Sequence, residues 1–509
     1  MKSRINNPFK EYKKSYNIYF AALFLTAFAV LFLRNTVPAY DKAHSVFKYI
    51  LAVYFFLGTA AVVFTVKKTQ KLHIIFLVLI SVLGLAYVIA LPMGQVPDEP
   101  LHLCRAFEIS EGQFFTPVAD GKVGSYLPKD IMKTSQGYGD VIERFRTARL
   151  NDANREFLNY PTSALYIPLV YAPQALGIFI FRLFTDNSMI VLYGVRLFNY
   201  LAGTAIIYYA IKLIPYGKLA VMVMALLPMM VNQSVSASAD VLTNALAIFS
   251  VAYALYLANN GSVLKKRQLA VLASSLILLS MCKIVYFLFA FIVIILSNSQ
   301  FTSKKTAIAY KICIPFLAVL LNVVWFLYTT RYFFDAREGV DIIGQITYVL
   351  TNPFRYVNVL IRTISDFTQK YLENMAGSSL GWFSIPCNYL GFGTALFVLV
   401  TVLLGYSQNR YSDKIKVIMF LVFAGTIVLI FSALYAQWTP VGNSVVLGVQ
   451  GRYFIPLLLP LACFIPQIAP NSDSDTVFRY ENSGRYMVYL LLLFCNYITI
   501  SNIFSHFFK

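Results

Sequence analysis

Long apolar runs separated by short polar segments dominate the chain. A helix needs about 20 apolar residues to cross the hydrocarbon core of a bilayer, so each such run predicts a membrane span. The pattern predicts about 13 spans, near 18–34, 46–66, 72–91, 189–213, 218–233, 241–259, 268–282, 284–298, 308–329, 389–406, 416–436, 453–468 and 485–504. It therefore predicts an all-α polytopic membrane protein.

One further apolar stretch, 161–184, does not fit this pattern. Pro161, Pro168 and Pro173 interrupt it, and proline inside a helix removes a backbone hydrogen bond and kinks the helix. Counting the stretch as a span would also move the later basic loops to the outside, against the positive-inside rule. We therefore interpret it as a re-entrant or interfacial helix pair within an outside loop.

The basic residues gather on one predicted side of the membrane. With a cytoplasmic N-terminus, the cytoplasmic segments hold 21 basic and five acidic residues, and the rest of the chain holds 21 and 18. The formal net charge of +19 is thus mainly a topology signal, and no nucleic-acid partner is expected. The basic and then apolar N-terminus predicts an uncleaved anchor, with cleavage after Val37–Pro38–Ala39 as the alternative.

This topology predicts three outside loops. They extend over about 92–188, 330–388 and 437–452, and two spans within 1–71 precede a core over 72–509. Loops on a rigid scaffold often carry binding and catalytic residues, so we expect the chemistry there.

Composition excludes several other classes of protein. Hydrophobic residues make up 58% of the chain and charged residues 13%, whereas a soluble domain carries about 25% charged residues. The six cysteines form no CxxC motif and no Cys/His cluster, which argues against structural zinc. Cys104 and Cys387 fall in loops on the same predicted side, and a disulfide between them is a minor alternative.

The strongest local signal is the stretch PDEPLHLCRAFEISEG at 97–112. Pro100 favours helix initiation, which would make Asp98 the N-cap. His102, Arg105 and Glu108 would then share one helix face. The alternative is a capped interfacial helix with a solvated charge stripe, but the position before a large loop favours a functional carboxylate at Asp98, supported by Glu99 or His102.

Two more charges interrupt apolar segments. Asp240 lies among small polar residues between two predicted spans and either caps the next helix or faces the same cavity as Asp98. Lys283 separates two apolar segments, and a lysine at bilayer depth costs several kcal/mol unless it is paired or hydrated. It therefore either reaches the interface or lines a polar cavity near an anion.

The third outside loop leads into a further charged position. Arg452 opens an apolar span after Gln450 and Gly451, with Tyr453 next to it. Glycine allows close approach of a ligand to the backbone, and arginine binds phosphate through two parallel contacts. The neighbouring residues favour a specific pocket over ordinary contacts with lipid headgroups.

Acids and bases on the outer face of an apolar bundle suit a lipid-linked phosphate substrate. Sugar transfer from a polyprenyl phosphate needs a carboxylate that accepts a proton from the acceptor hydroxyl. It also needs cations that stabilise the departing phosphate. Arg105, Lys283 and Arg452 are the candidate phosphate ligands.

The order of these parts resembles the GT-C superfamily of polyprenyl-phosphate-sugar glycosyltransferases, and most closely the bacterial membrane family called domain of unknown function 2142. The resemblance extends from about residue 72 onward and rests on six stretches: 97–112, 160–178, 225–247, 282–286, 381–386 and 449–460.

The resemblance implies an inverting, extracytoplasmic transferase in the cell membrane that acts on a polyprenyl-phosphate-linked sugar donor and a cell-surface glycan acceptor. It implies that Asp98 matches the catalytic acid of the first loop and that Asp240 is similar to a second-loop acid. The acids form no clear metal triad, so a divalent cation at Asp98 and Asp240 stays open. The rival hypotheses are a transporter or flippase, whose internal repeats we do not find, and a non-catalytic assembly subunit.

Overall fold

The computed structural model describes residue 26 and residues 42–134, 137–332, 339–404, 411–465 and 474–507, with the side chains of 42–48 and 474–483 left out. The predicted first span at 18–34, apart from residue 26, and the alternative cleavage site at Val37–Ala39 lie outside the described residues.

Helices make up most of the described chain. In chain order they are α1 (Lys42–Lys68), α2 (Leu72–Ala90), α3 (Glu99–Ser110), α4 (Tyr138–Thr147), α5 (Pro161–Ala164), α6 (Ala172–Arg182), α7 (Ser188–Leu213), α8 (Lys218–Ala225), α9 (Pro228–Ser234), α10 (Asp240–Asn259), α11 (Lys266–Cys282), α12 (Lys304–Thr329), α13 (Ile342–Thr351), α14 (Pro353–Ala376), α15 (Tyr389–Leu404), α16 (Asp413–Trp438), α17 (Leu458–Ala462) and α18 (Ser474–Phe507). The 3₁₀ helices are Lys129–Met132, Pro168–Tyr171, Ile284–Ile295, Asn298–Gln300, Thr330–Tyr332 and Gly451–Leu457.

Within the described residues, seven helices are long and apolar enough to cross a membrane. They are α1, α2, α7, α10, α12, α16 and α18, and each coincides with a predicted span. This confirms the all-α membrane architecture in its coarse form.

Five other predicted spans form shorter or broken elements. The span predicted at 218–233 divides into α8 and α9, because Pro228 cannot continue a helix and holds Leu227 extended. The run at 284–298 forms a 12-residue 3₁₀ helix, which covers about 24 Å at the usual rise. The span predicted at 453–468 begins as a 3₁₀ helix and continues as α17, while α11 and α15 have 17 and 16 residues.

The first predicted loop contains strands that the pattern did not predict. β1 (Val118–Ala119), β2 (Lys122–Pro128) and β3 (Arg155–Asn159) form an antiparallel sheet in the order β1-β2-β3. Further along this loop, the prolines break 161–184 into pieces as predicted. Pro161 begins α5, Pro168 begins a 3₁₀ helix, and Pro173 lies in the first turn of α6.

The second predicted loop consists mainly of α13 and α14. The face of α14 that contains Val359, Thr363 and Tyr371 is buried, whereas Phe354 and Ile361 expose 89% and 57% of their surface. A short hairpin of β4 (Ser379–Leu380) and β5 (Ile385–Pro386) follows. The indole of Trp382 in this hairpin donates to the carbonyl of Gly94 (3.0 Å), so the second loop packs against the end of α2.

Candidate functional site

Asp98 begins α3 in a conformation that is rare for a residue other than glycine. Its φ and ψ are 63° and 0°, in the left-handed region, and the prolines on both sides restrict the backbone. It occupies the N-cap position as predicted, with helix α3 starting one residue before Pro100, yet its carboxylate makes no capping hydrogen bond. Such a strained position is typical of functional sites, and here the carboxylate points to another element.

That element is the 3₁₀ helix that begins at Gly451. The Nη2 atom of Arg452 donates to Oδ2 of Asp98 (3.0 Å), with side-chain exposures of 4% and 43%. A Cβ atom on Gly451 would lie 2.2 Å from the carbonyl oxygen of Tyr371 in α14. Glycine is therefore required for the close packing that sets Arg452 beside Asp98. The two predicted residues do meet, and solvent reaches the carboxylate.

Asp240 and Lys283 lie next to Asp98 and Arg452, and these four residues form the Asp98 cluster. Lys283 Nζ bonds Oδ1 of Asp240, and Arg452 Nε lies 3.9 Å from its Oδ2. The carboxylate is thus shared between a lysine and an arginine that are far apart in the chain. Asp240 stands in the first turn of α10, but its side chain holds two cations instead of capping the helix, and Lys283 is paired with an anion as one of the two interpretations predicted.

Three buried polar atoms at the cluster, two donors and one acceptor, lack a hydrogen-bond partner among the described residues. The Nε and Nη1 atoms of Arg452 are buried and have no hydrogen-bond partner among the described residues. The same holds for Oε1 of Gln450. Buried polar atoms are nearly always bonded in native proteins, so these orphaned groups are typical of a site that receives a ligand.

Aromatic rings enclose the lysine. Its Nζ lies 5.1 Å from the ring centre of Tyr453 and 5.8 Å from that of Tyr166, distances that permit cation–π attraction. Arg452 approaches the Tyr453 ring to 5.5 Å, and Tyr286 donates to the Tyr453 carbonyl (3.1 Å). Tyr453, a predicted substrate-binding residue, therefore lies beside both cations of the cluster. Sequence reasoning did not single out Tyr166, which lies against the lysine.

His102 lies one turn beyond Asp98 and is buried. Its Nδ1 shares a hydrogen bond of 2.6 Å with the hydroxyl of Tyr171, and its ring packs edge-on against Tyr166 at 5.4 Å. Burial lowers the pKa of His102 to about 4, against the opposing attraction of Asp98 and Asp240. The imidazole is therefore neutral near pH 7 and lines the site from the α3 side.

Glu99 lies outside this cluster, in a closed ion pair. Arg196 Nε and Nη2 donate to its two carboxylate oxygens (both 2.7 Å), and the backbone amides of Gly94 and Ala237 donate to the same oxygens. Both side chains are fully buried. Glu99 therefore joins α3 to α7 and to the segment before α10, and it has no free oxygen lone pair facing solvent. Sequence reasoning missed Arg196, although an arginine inside an apolar span is itself a signal.

Arg105 also lies apart from the cluster. It pairs with Glu108 on the same face of α3 and donates to the carbonyl of Phe114 (2.7 Å). The hydroxyls of Thr116 and Ser125 donate to Glu108 as well (2.8 and 2.7 Å). The shared face was predicted correctly, but it is buried under the first loop rather than solvated, so Arg105 fastens that loop to α3.

The remaining predictions concern metal and disulfide sites. Among the residues that the structure describes, no group of three or more His, Cys, Asp or Glu side chains could hold a metal ion. Asp98 and Asp240 are both paired with cations, which does not match the oxygen-rich shell that Mg²⁺ or Ca²⁺ requires. Cys104 and Cys387 are free and buried, so the minor alternative of a disulfide between them is wrong.

Comparison with known proteins gives one family. Residues 79–461 match a family of predicted membrane proteins, domain of unknown function 2142. The match covers most of the chain and every residue of the Asp98 cluster, so the chain belongs to this family. Neither the curated proteins nor the solved structures compared with the chain give a match.

Proposed function

We propose that this member of the family is an inverting glycosyltransferase of the GT-C type. It moves a sugar from a polyprenyl-phosphate donor to a cell-surface glycopolymer or lipid-linked glycan on the extracytoplasmic face of the cell membrane. Its partners are the lipid-linked donor, the glycan acceptor and the bilayer, with no nucleic acid. The core extends over 72–509, and two spans within 1–71 precede it.

The observation that carries the proposal is the contact between Asp98 and Arg452. A half-exposed carboxylate touches a buried guanidinium, and two nitrogens of this guanidinium have no hydrogen-bond partner among the described residues. A carboxylate that solvent reaches can accept a proton from a hydroxyl. A guanidinium with free donors can bind phosphate. The transfer of a sugar from a phosphate to a hydroxyl needs these two capacities side by side.

The proposed reaction is a single displacement. The acceptor hydroxyl gives its proton to the Asp98 carboxylate while its oxygen forms a bond to the anomeric carbon of the donor sugar. The bond from that carbon to the phosphate oxygen breaks on the opposite face, and its electron pair stays on the departing polyprenyl phosphate. The anomeric configuration is therefore inverted, and no covalent enzyme intermediate is formed.

Arg452 and Lys283 are the proposed phosphate ligands. Asp240 contacts both side chains, so in this proposal it positions two cations that would otherwise repel each other. The orphaned Oε1 of Gln450 needs a donor, and a sugar hydroxyl supplies one. His102 is buried and neutral and supports the cluster from α3, whereas Glu99 and Arg105 maintain the surrounding structure.

The shape of the described chain supports a lipid-linked substrate. Asp240 and Lys283 begin apolar elements, α10 and the 3₁₀ helix Ile284–Ile295, so the cluster lies at the ends of these elements and not at their middles. In the proposed topology of 13 spans this end faces outward, with the pieces of 161–184 and the exposed apolar stripe of α14 in the outer interface. The prenyl tail would then lie between helices.

The test is a transfer assay with purified protein, polyprenyl-phosphate sugars of several kinds and glycan acceptors. Wild-type protein is expected to release polyprenyl phosphate and form a product of inverted configuration. Asp98→Asn is expected to reduce turnover by about 10²- to 10⁴-fold, the usual contribution of a general base, with the folded protein retained. Wild-type turnover in the folded Asp98→Asn protein would refute the assignment, and a transporter or assembly subunit would tolerate both this change and Arg452→Gln.

A further inference from the structure

A polar cavity lies at the opposite end of the helices that form the Asp98 cluster. It has a volume of about 490 Å³ and is lined by residues that include Ala258, Ile295, Lys311 and Lys414. Helix α10 leads from Asp240 to this cavity over about 27 Å at 1.5 Å per residue. The 3₁₀ helix Ile284–Ile295 covers about 24 Å in the same direction. The two sites are therefore separated by nearly the thickness of a hydrocarbon core, about 30 Å.

The cavity presents two lysines without a carboxylate partner among the described residues. Lys311 Nζ donates to Oδ1 of Asn298 (2.6 Å), and Lys414 Nζ lies 3.5 Å from the carbonyl oxygen of Leu296. Asp413, the acid next to this cavity, pairs with Lys416 instead (3.3 Å). Each ammonium carries three donors, so both lysines keep donors for a ligand.

Neutral donors and a helix end add to this positive charge. Ser297, Asn298 and Ser412 line the same cavity, and Ser412 is the N-cap of α16 without a capping bond from its side chain. The N-terminus of this 26-residue helix carries a partial positive charge. Paired lysines, hydroxyls and a helix N-terminus are together the chemistry that binds phosphate.

An apolar groove lies beside the cavity, between the 3₁₀ helix Ile284–Ile295 and α16. It has a volume of about 240 Å³ and is lined by Leu288, Phe291, Ile294, Ile418, Leu421 and Val422. Ile294 is adjacent to Ile295 of the polar cavity, and Ile418 lies one turn from Ile415, which also lines that cavity. A polar, positive cavity beside an apolar groove matches a charged headgroup followed by a hydrocarbon chain.

We propose that this cavity and groove bind a lipid with an anionic phosphate headgroup, with the phosphate between Lys311 and Lys414 and the chain along the groove. The site is separate from the Asp98 cluster, and its occupation does not depend on the function proposed for that cluster. A bound lipid would fasten α12 and α16 to the 3₁₀ helix Ile284–Ile295 at this end.

The test measures lipid binding to the full-length protein in a neutral detergent by native mass spectrometry. Phosphatidylglycerol and phosphatidylcholine are the two lipid probes, and inorganic phosphate is the headgroup probe. Wild-type protein is expected to prefer phosphatidylglycerol. The double variant Lys311→Gln/Lys414→Gln is expected to lose about 25-fold in that affinity, at about fivefold for each basic residue. The matched control Lys266→Gln/Lys305→Gln removes two exposed lysines elsewhere in α11 and α12 and should keep it.

A groove variant keeps the test decisive if the double variant does not fold. Leu421→Trp enlarges an exposed side chain that lines the groove and leaves both lysines in place, so it should weaken phosphatidylglycerol binding without affecting inorganic phosphate. Equal binding of the two lipids to wild-type protein would overturn the proposal. So would an equal loss in the lysine control, or tighter binding of inorganic phosphate than of phosphatidylglycerol.

Discussion

The neighbouring carboxylates Asp98 and Glu99 should respond in opposite ways when each is replaced by its amide. Glu99 accepts two bonds of 2.7 Å from Arg196 and further bonds from the amides of Gly94 and Ala237, and it is fully buried. In Glu99→Gln, the new NH₂ group would face N–H donors and the buried guanidinium would lose its counter-charge. Breaking a buried ion pair from one side costs about 3–5 kcal/mol.

Asp98→Asn should cost far less stability. The Asp98 carboxylate is 43% exposed, and the buried Arg452 keeps Asp240 as a counter-charge after the change, so the loss should stay well below that of a fully buried pair. Asparagine also tolerates the left-handed conformation better than most residues. We therefore expect Asp98→Asn to fold almost as well as the wild type while it loses transfer activity, and Glu99→Gln to lose folded protein first.

In the assay, sodium dodecyl sulfate is added in steps to protein in a mild detergent. Circular dichroism measures the loss of helix at each step and gives the midpoint of unfolding. Glu143→Gln, which changes an exposed acid in α4, is the matched control and should leave the midpoint unchanged. The apolar double variant Glu99→Leu/Arg196→Leu should recover part of the loss, because no buried charge is then left unpaired. A Glu99→Gln protein within about 1 kcal/mol of the wild type would refute the structural role of Glu99.

Three further predictions follow from the same contacts. Arg452→Lys should reduce turnover by about 10²-fold, because lysine keeps the charge but cannot form two parallel contacts with phosphate; unchanged turnover would remove Arg452 from phosphate binding. Asp240→Asn and Lys283→Met should show a coupling energy of about 1–3 kcal/mol in a double-mutant cycle of unfolding, as expected for a contacting pair; additive losses would contradict the pair. Burial lowers the pKa of His102 to about 4, so the unfolded chain binds the proton first, and stability should fall by up to about 3 kcal/mol as the pH falls from about 6.5 to about 4. Unfolding titrations at pH 7.5 and 5 should show about 2 kcal/mol of this loss, and His102→Gln should remove it.

The sequence by itself was enough to predict a membrane protein built from helices. It was also enough to single out the four charged residues of the Asp98 cluster. Apolar length alone predicted the seven long helices, because any segment that crosses a bilayer must bury its backbone in a helix. Asp98, Asp240, Lys283 and Arg452 were identifiable because charges beside apolar runs are costly and need partners. The prolines predicted the breaks in 161–184, since each removes a donor and restricts the backbone.

Only the tertiary structure decided which charge pairs with which. Asp98 and Glu99 are adjacent and chemically alike, yet one faces Arg452 and the other is enclosed by Arg196, and no local pattern encodes that difference. The sheet in the first loop and the burial of the Arg105–Glu108 pair under that loop also depend on contacts between separate segments. Ion pairs form between side chains that packing brings within about 4 Å, and their partners therefore follow from the fold and not from spacing along the chain.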